Sequence, residues 1–352
     1  MKVVITGASG NVGTALLRAL APAGWELVGV ARRRPDTARE PYSSARWAGV
    51  DIGAGTAEDE LCAVFTGADA VVHLAWAIHP RTDEPPLPRT NAVGSANVLA
   101  AAAAAGVPHL VCASSVAAYT PAGRWRRVGE DFPCAGVPGS AYSMGKAALE
   151  AQLDAFGRRH PETRMARIRP CAVVQRAAAA QLAGWLLSPW LPRALLGVRA
   201  LPVPLWTGLR LQVVHADDVA LAIRLILAER AAGAFNLAAE SVLPAREVAR
   251  VVGGVRVPVP LRLLTGPAWV AWRLGLQPLH PAWLRLADQA SLVDTTRARA
   301  ELGWVPRRGA VDALAELVTA MHDDHQHAGA PPLRPPPRRL HLGRPSHQDQ
   351  SA

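Results

Sequence analysis

The first thirteen residues constrain the fold more than any other stretch. Lys2-Val3-Val4-Ile5 is a short apolar, β-branched run, and Thr6-Gly7-Ala8-Ser9-Gly10-Asn11-Val12-Gly13 follows at once. A helical pattern then begins with Ala15, Leu16, Leu17, Ala19 and Leu20, and Pro22 and Gly24 stop it. Strand, glycine turn and helix in that order are the context a dinucleotide loop needs. Gly7 permits the tight turn, Gly10 lets the backbone approach a pyrophosphate, and Gly13 allows helix and strand to pack closely. The helix N-terminus presents unpaired N–H groups and a positive dipole end to the phosphates. The spacing is G-x-x-G-x-x-G. Ser9, Asn11 and Val12 fall inside the loop and are expected beside the cofactor with the three glycines.

The second strand, Glu26-Leu27-Val28-Gly29-Val30-Ala31, ends in Arg32-Arg33-Arg34. An acidic residue there would hold the ribose 2′-OH of NAD, whereas arginine accommodates the 2′-phosphate of NADP. Arg32 or Arg33 is the candidate contact; solvated loop arginines are the other reading. NADP is slightly favoured over NAD on this ground. Asp51-Ile52 follows a third expected strand, Ala45 to Val50, and stands where a side chain could reach the adenine.

The second constraint is Tyr142-Ser143-Met144-Gly145-Lys146. The chain has 3 tyrosines, and of its 38 Lys plus Arg only Lys2 and Lys146 are lysine. On a helix from about Tyr142 to Arg159, positions i and i+4 share one face, so phenol and ammonium can act on one ligand. A nearby cation favours phenolate and would lower the tyrosine pKa, making it a usable proton shuttle. Arginine is a poorer substitute, being a planar fork where a compact charge is wanted. An ordinary surface pair is the competing explanation, and the nucleotide loop at the other end of the chain decides against it.

With both motifs in hand, the chain resembles the extended short-chain dehydrogenase/reductase family, also called NAD-dependent epimerase/dehydratases. Ala70-Val71-Val72-His73-Leu74-Ala75 looks like the family's fourth strand, and Asn91 to Leu99 like its next helix start. His109 to Tyr119 is similar to the strand that delivers the catalytic serine; its distance from Tyr119 selects Ser115 over Ser114. Arg169-Pro170, Val214 to Ala220, Phe235-Asn236-Leu237-Ala238, Asp294 to Arg297 and Leu302 to Pro306 match later segments in order. The resemblance implies an α/β, Rossmann-type doubly wound parallel sheet with a smaller C-terminal substrate lobe. It implies a Rossmann domain over 1–175, with 210–240 returning to it, and a lobe from 176–209 and 241–328. It also implies that Ser115 hydrogen-bonds the substrate oxygen, Tyr142 moves the proton, and Lys146 holds the cofactor ribose. Leu74, Ala75, Trp76 and Asn91 are expected along the cofactor, and a homodimer through the helices near 91–105 and 142–159.

Composition bounds the rest. A chain of 352 residues has ample core for one large α/β domain and a lobe. Four scattered cysteines with no C-x-x-C argue a reducing, cytoplasmic setting and no zinc site. Thr90 to Gly123 lacks Asp, Glu, Lys and Arg, but Gly106-Val107-Pro108 cuts it into helix and strand, so no transmembrane segment is expected. Met1 to Leu17 has no cleavage-site pattern and is not read as a signal peptide. The net charge is +10, yet no aromatic–basic interleaving points to nucleic acid. Residues 329–352 hold six prolines and a net +3, and are expected to be disordered with polyproline character. His322, His325 and His327 are expected in a solvated linker, not at a metal.

The substrate is less legible. Trp185, Trp190 and Trp206, then Trp269, Trp272 and Trp283, either fill the lobe's core or line an apolar pocket or contact surface. Val116-Ala117 stand where sugar-nucleotide dehydratases resembling this chain carry Asp-Glu, so sugar dehydration is not expected. Cys171 to Gln175 lacks the asparagine common in nucleotide-sugar epimerases, and Tyr-Ser-x-Gly-Lys replaces their usual Tyr-Gly-x-Ser-Lys. Three functions stand: an NAD(P)-dependent oxidoreductase acting on a carbonyl or secondary alcohol, a nucleotide-sugar 4-epimerase with tightly bound NAD, and a non-catalytic cofactor-sensing protein. Intact Ser115, Tyr142 and Lys146 favour an enzyme, because function lives in the site.

Overall fold

Short β-branched runs buried on both faces can only sit in the middle of a sheet covered by helices on each side. The computed structural model, which describes residues 1–78, 88–188, 192–197, 201–277, 279–327 and 329–334, has that arrangement. Its central sheet holds β1 (Lys2–Thr6), β2 (Glu26–Val30), β3 (Arg46–Ala48), β4 (Ala70–His73), β5 (His109–Ala113), β6 (Arg164–Pro170) and β7 (Gly233–Leu237). The order across the sheet is β7-β6-β5-β4-β1-β2-β3, and every pairing is parallel. Strand order reverses between β1 and β4, so their C-terminal ends open the crevice where such sheets bind ligands. The family's expected third strand is shorter than Ala45 to Val50: only Arg46–Ala48 pairs with β2.

Alternation along each strand divides the core. Val3 and Ile5 face α1 (Asn11–Leu20) and α5 (Ala216–Glu229), whereas Val4, Val71 and Leu110 face α2 (Ala57–Phe65), α3 (Gly94–Ala104) and α4 (Ala141–Arg159). An irregular wide turn, Arg89–Val93, precedes α3, so Asn91 lies before the regular helix. Gly94 is required there: a Cβ would come 2.7 Å from the Ile52 side chain.

A smaller lobe holds the helices Ala179–Leu186 and Ala245–Val252, the parallel pair Leu201–Leu205 and Gly254–Pro258, α6 (Leu261–Arg273) and the helix Ala282–Gln289. Its small core gathers Trp206 and Leu209 against Leu261, Leu264 and Leu284. Of the tryptophans singled out in the sequence, Trp206 is buried, Trp269 is exposed, and Trp190 lies outside the described residues. Part of the stretch expected in the lobe instead closes the main core, where Ala298, Leu302 and Trp304 are buried. The Trp304 indole donates to the Asp218 carbonyl, and α7 (Ala310–His322) packs beside Val174 and Val213.

The proline-rich end requires a correction. Residues 329–334, expected as the start of a disordered tail, form a fixed strap. The Asp36 amide donates to the Gly329 carbonyl, and the Pro331–Leu333 turn buries Ala330 and Leu333 completely. His327 is not in a solvated linker: its Nε2 lies 2.6 Å from the Tyr42 hydroxyl, which also meets Thr14. His322 likewise meets the Leu196 carbonyl. Two apolar residues three apart in a 3₁₀ turn share one face, and that local signal outweighs the average composition. The remainder of the expected tail, 335–352, lies outside the described residues. Leu333→Ala should lower unfolding stability by about 2–5 kcal/mol in a denaturant titration, whereas an unchanged midpoint would mean that the strap does not pack.

Candidate active site

At the sheet's C-terminal edge the glycine loop and the end of β4 touch. Gly7 has a φ of +71°, and a Cβ on it would come 2.6 Å from the Ala75 amide. A Cβ on Gly13 would strike the Gly7 carbonyl and Ala8. Both positions therefore exclude side chains, and α1 begins directly under the loop. Gly10 caps α1 with no side-chain acceptor, and no acidic residue stands in its first turn. Uncapped N–H groups without a resident carboxylate are the donor set a pyrophosphate requires. These residues fit the phosphates of a dinucleotide.

Other expected cofactor residues fall into two groups. Ser9 is buried in the loop; Leu74, Ala75 and Trp76 follow β4 alongside it; Arg32 and Arg33 are exposed just past β2. Asp51 turns to Arg89 at 3.0 Å and Ile52 is buried beneath Gly94. Two asparagines are occupied by backbone. The Asn91 amide takes both polar groups of Ala77, at 2.8 and 2.9 Å. Asn11 donates to the Val173 carbonyl and accepts from Gln175. They shape the crevice walls.

α4 brings Ser115, Tyr142 and Lys146 together. Ser140 caps the helix, accepting from the Ser143 amide. Ser115 caps the short turn after β5, its Oγ accepting from the Ala117 amide. Burial raises the Tyr142 pKa, and the Ser115 side chain works against that rise. Lys146 is itself buried, donating to the Ala113 carbonyl at 2.9 Å with its ammonium 3.6 Å from the Trp76 ring centroid. Burial pulls its pKa down to about 7, with Glu150 and Cys112 opposing.

Sequence reasoning missed Ser143. Its Oγ donates to the Ala117 carbonyl at 2.6 Å and accepts from the Val137 amide, also at 2.6 Å. It thus pins the Ser115 turn to the helix that carries Tyr142. One turn beyond Lys146, Glu150 takes a two-pronged contact from Arg169, at 2.7 and 2.8 Å, and a third from Arg167 at 2.7 Å. Burial alone would raise the Glu150 carboxyl, but the arginines hold it down at about 2. His73, bonded to Thr6 and Ser95, stays neutral because burial lowers its pKa to about 3.

A cavity of about 230 Å³ opens beside Tyr142, between α4 and the segment after β4. Trp76, Ile78, Leu149 and Trp283 make apolar walls, and no charged side chain lines it among the described residues. Trp283, from the lobe, lies 5.2 Å from the Tyr142 ring, centroid to centroid. The Trp76 Nε1 and the Gln152 Oε1 are buried without partners.

The sequence matches the NAD dependent epimerase/dehydratase family over residues 3–238. The chain belongs to that family. It is 29% identical over 323 residues to the uncharacterized protein Rv2047c of Mycobacterium tuberculosis, covering 91% of this chain but only 30% of that protein's length. It is 26% identical over 190 residues to the uncharacterized protein Rv0501 of the same organism, spanning 51% of this chain and 46% of that protein. Among solved structures, it is similar to the Thermus thermophilus UDP-glucose 4-epimerase in complex with NAD, at 22% identity. The TM-score is 0.65, with 91% of this chain and 99% of that one covered. The Bifidobacterium longum UDP-glucose 4-epimerase with NAD+ and UDP gives a TM-score of 0.67 at 16% identity, covering 93% and 100%. At these identities the likeness establishes the fold, an extended short-chain dehydrogenase/reductase architecture.

The Lys146 shift predicts a pH dependence. Its folded pKa of about 7 lies below the ordinary 10.5, so between those values the unfolded chain binds a proton that the folded one does not. Stability should therefore rise with pH across that window, and the full penalty should persist below pH 7. In Lys146→Met this contribution to the slope should vanish, read as urea midpoints near neutral and alkaline pH. Parallel slopes in both proteins would contradict a depressed lysine.

Proposed function

We propose that the family member described here is an NAD(P)-dependent oxidoreductase acting at the carbonyl or secondary alcohol of a small, apolar or weakly polar molecule. The observation that carries this reading is Tyr142 at the wall of a cavity that no charged side chain lines among the described residues, with the Ser115 turn pinned to the same helix by Ser143 and Lys146 one turn along it. Bound nicotinamide supplies or accepts the hydride. Gly7, Gly10, Gly13 and the first turn of α1 hold the phosphates, and Lys146 reaches the ribose. Tyr142 gives a proton to the substrate oxygen on reduction and takes it back on oxidation. Ser115 donates a second hydrogen bond to that oxygen as charge builds on it. Trp76 and Trp283 exclude water and orient an apolar substrate between them.

A nucleotide-sugar 4-epimerase is the second reading, favoured by the fold shared with the UDP-glucose 4-epimerases named above. The lining, uncharged among the described residues, weighs against it near Tyr142, because a diphosphate needs cationic or N–H partners close by. An epimerase keeps its nicotinamide, so the two readings separate on purification. Denatured protein should release no stoichiometric nicotinamide, and NADPH or NADH oxidation should follow addition of apolar ketones and aldehydes. Tyr142→Phe should lower that turnover by about 10²–10⁴-fold while nucleotide affinity is kept. Full turnover in the variant would remove Tyr142 from the chemistry, and tightly held nicotinamide would favour the epimerase.

Cofactor choice has its own test. Arg32→Ala with Arg33→Ala should weaken NADP binding roughly tenfold more than NAD binding in calorimetric titrations, as loss of charge-assisted phosphate contacts predicts. Equal losses for the two cofactors would refute an NADP preference.

A further inference from the structure

α6 is a thirteen-residue helix with no buried residue, although it is rich in leucine and tryptophan. Its inner side packs through Leu261 and Leu264 against Trp206, Leu209 and Leu284. Its outer side is apolar as well. Leu263, Val270 and Leu274 recur at i, i+7 and i+11, a single stripe, and are 59%, 49% and 67% exposed. Trp269 and Leu276 extend the stripe sideways. A helix that is apolar all round is ordinarily covered on every side. An outward stripe of this size marks a contact surface.

Charge selects the occupant. Along Leu261–Arg273 itself the sequence contains no Asp or Glu, but it does contain Arg262 and Arg273. Arg262 and Arg273 stand exposed near the two ends of α6, and the Arg273 guanidinium lies 5.4 Å from the Trp269 ring centroid. A second copy meeting this face about a two-fold axis would bring the same arginines together with no acidic partner. Apolar residues with tryptophan, flanked by arginine and free of acid, fit an anionic lipid surface. No described helix is long and apolar enough to cross a membrane, so α6 would lie along the interface.

We propose that the outer face of α6 docks the protein on anionic lipid bilayers. The geometry also connects this face with the cavity. The inner side of α6 packs on the helix Ala282–Gln289, and Trp283 from that helix meets Tyr142 and lines the cavity. Docking would therefore hold the candidate active site one helix away from the lipid, where apolar carbonyl compounds concentrate.

Flotation of the full chain with vesicles tests the proposal. Binding is expected with phosphatidylcholine containing phosphatidylglycerol and not with phosphatidylcholine alone, and salt should weaken it. Val270→Glu with Leu274→Glu should reduce the bound fraction roughly tenfold or more. Arg262→Gln with Arg273→Gln keeps the apolar stripe and should reduce it by a similar factor. Circular dichroism checks that each variant is folded, and the arginine pair carries the test if the glutamates disturb the lobe. Failure to bind anionic vesicles, or variants that bind as the parent does, would overturn the proposal. So would an oligomer in lipid-free solution that the glutamate variant dissolves, since a second copy would then own the face.

Discussion

Everything at the candidate site depends on where α4 sits, and the buried contact between Glu150 and Arg169 fixes it. The helix carries Tyr142, Ser143, Lys146 and Glu150 along one side, while Arg169 lies near the C-terminal end of β6, beside the edge strand β7. A carboxylate with three arginine contacts in a dry interior has little freedom to slide, because losing one partner leaves an uncompensated charge. Arg169 also donates to the Tyr119 hydroxyl and the Glu130 carbonyl, so the same guanidinium ties down the loop that follows Ser115. The helix that carries Tyr142 and the loop that follows Ser115 are thus referred to one cation.

What was legible in the sequence is what is local. The glycine loop is a strand, a turn and a helix within about twenty residues, and the Tyr–Lys pair is one helical turn; short-range rules reach both. The parallel sheet and its extent followed from the order of matching segments. Asn11 and Asn91 stand where a cofactor contact is expected, yet their amides are satisfied by Val173, Gln175 and Ala77. Two of those partners lie more than 160 residues away in the chain, beyond any pattern in the neighbouring sequence. The strap at 329–334 failed for a related reason. Average composition described the segment, but Ala330 and Leu333 find their burial in the main core, among residues distant in the chain.

At Tyr142 burial sets the direction of the pKa shift, which is upward. At i and i+4, phenol and ammonium share a face, but the lysine ammonium is aimed at the Ala113 carbonyl and sits against Trp76. Its own burial lowers its charge near neutral pH, which weakens any pull on the phenol.

The serine within Tyr142-Ser143-Met144-Gly145-Lys146 has a physical cause in this chain. Ser143 lies inward, where its hydroxyl bridges Ala117 and Val137; glycine there would leave both backbone groups without that partner. Gly145 lies outward, where a Cβ would meet the Trp76 ring at 3.4 Å, an ordinary contact distance, and it borders the cavity. The serine two positions upstream has the inward role. Trp76 covers Lys146, borders the cavity together with Trp283, and among the described residues its Nε1 has no hydrogen-bond partner, so one aromatic side chain links the buried lysine to the open space beside Tyr142.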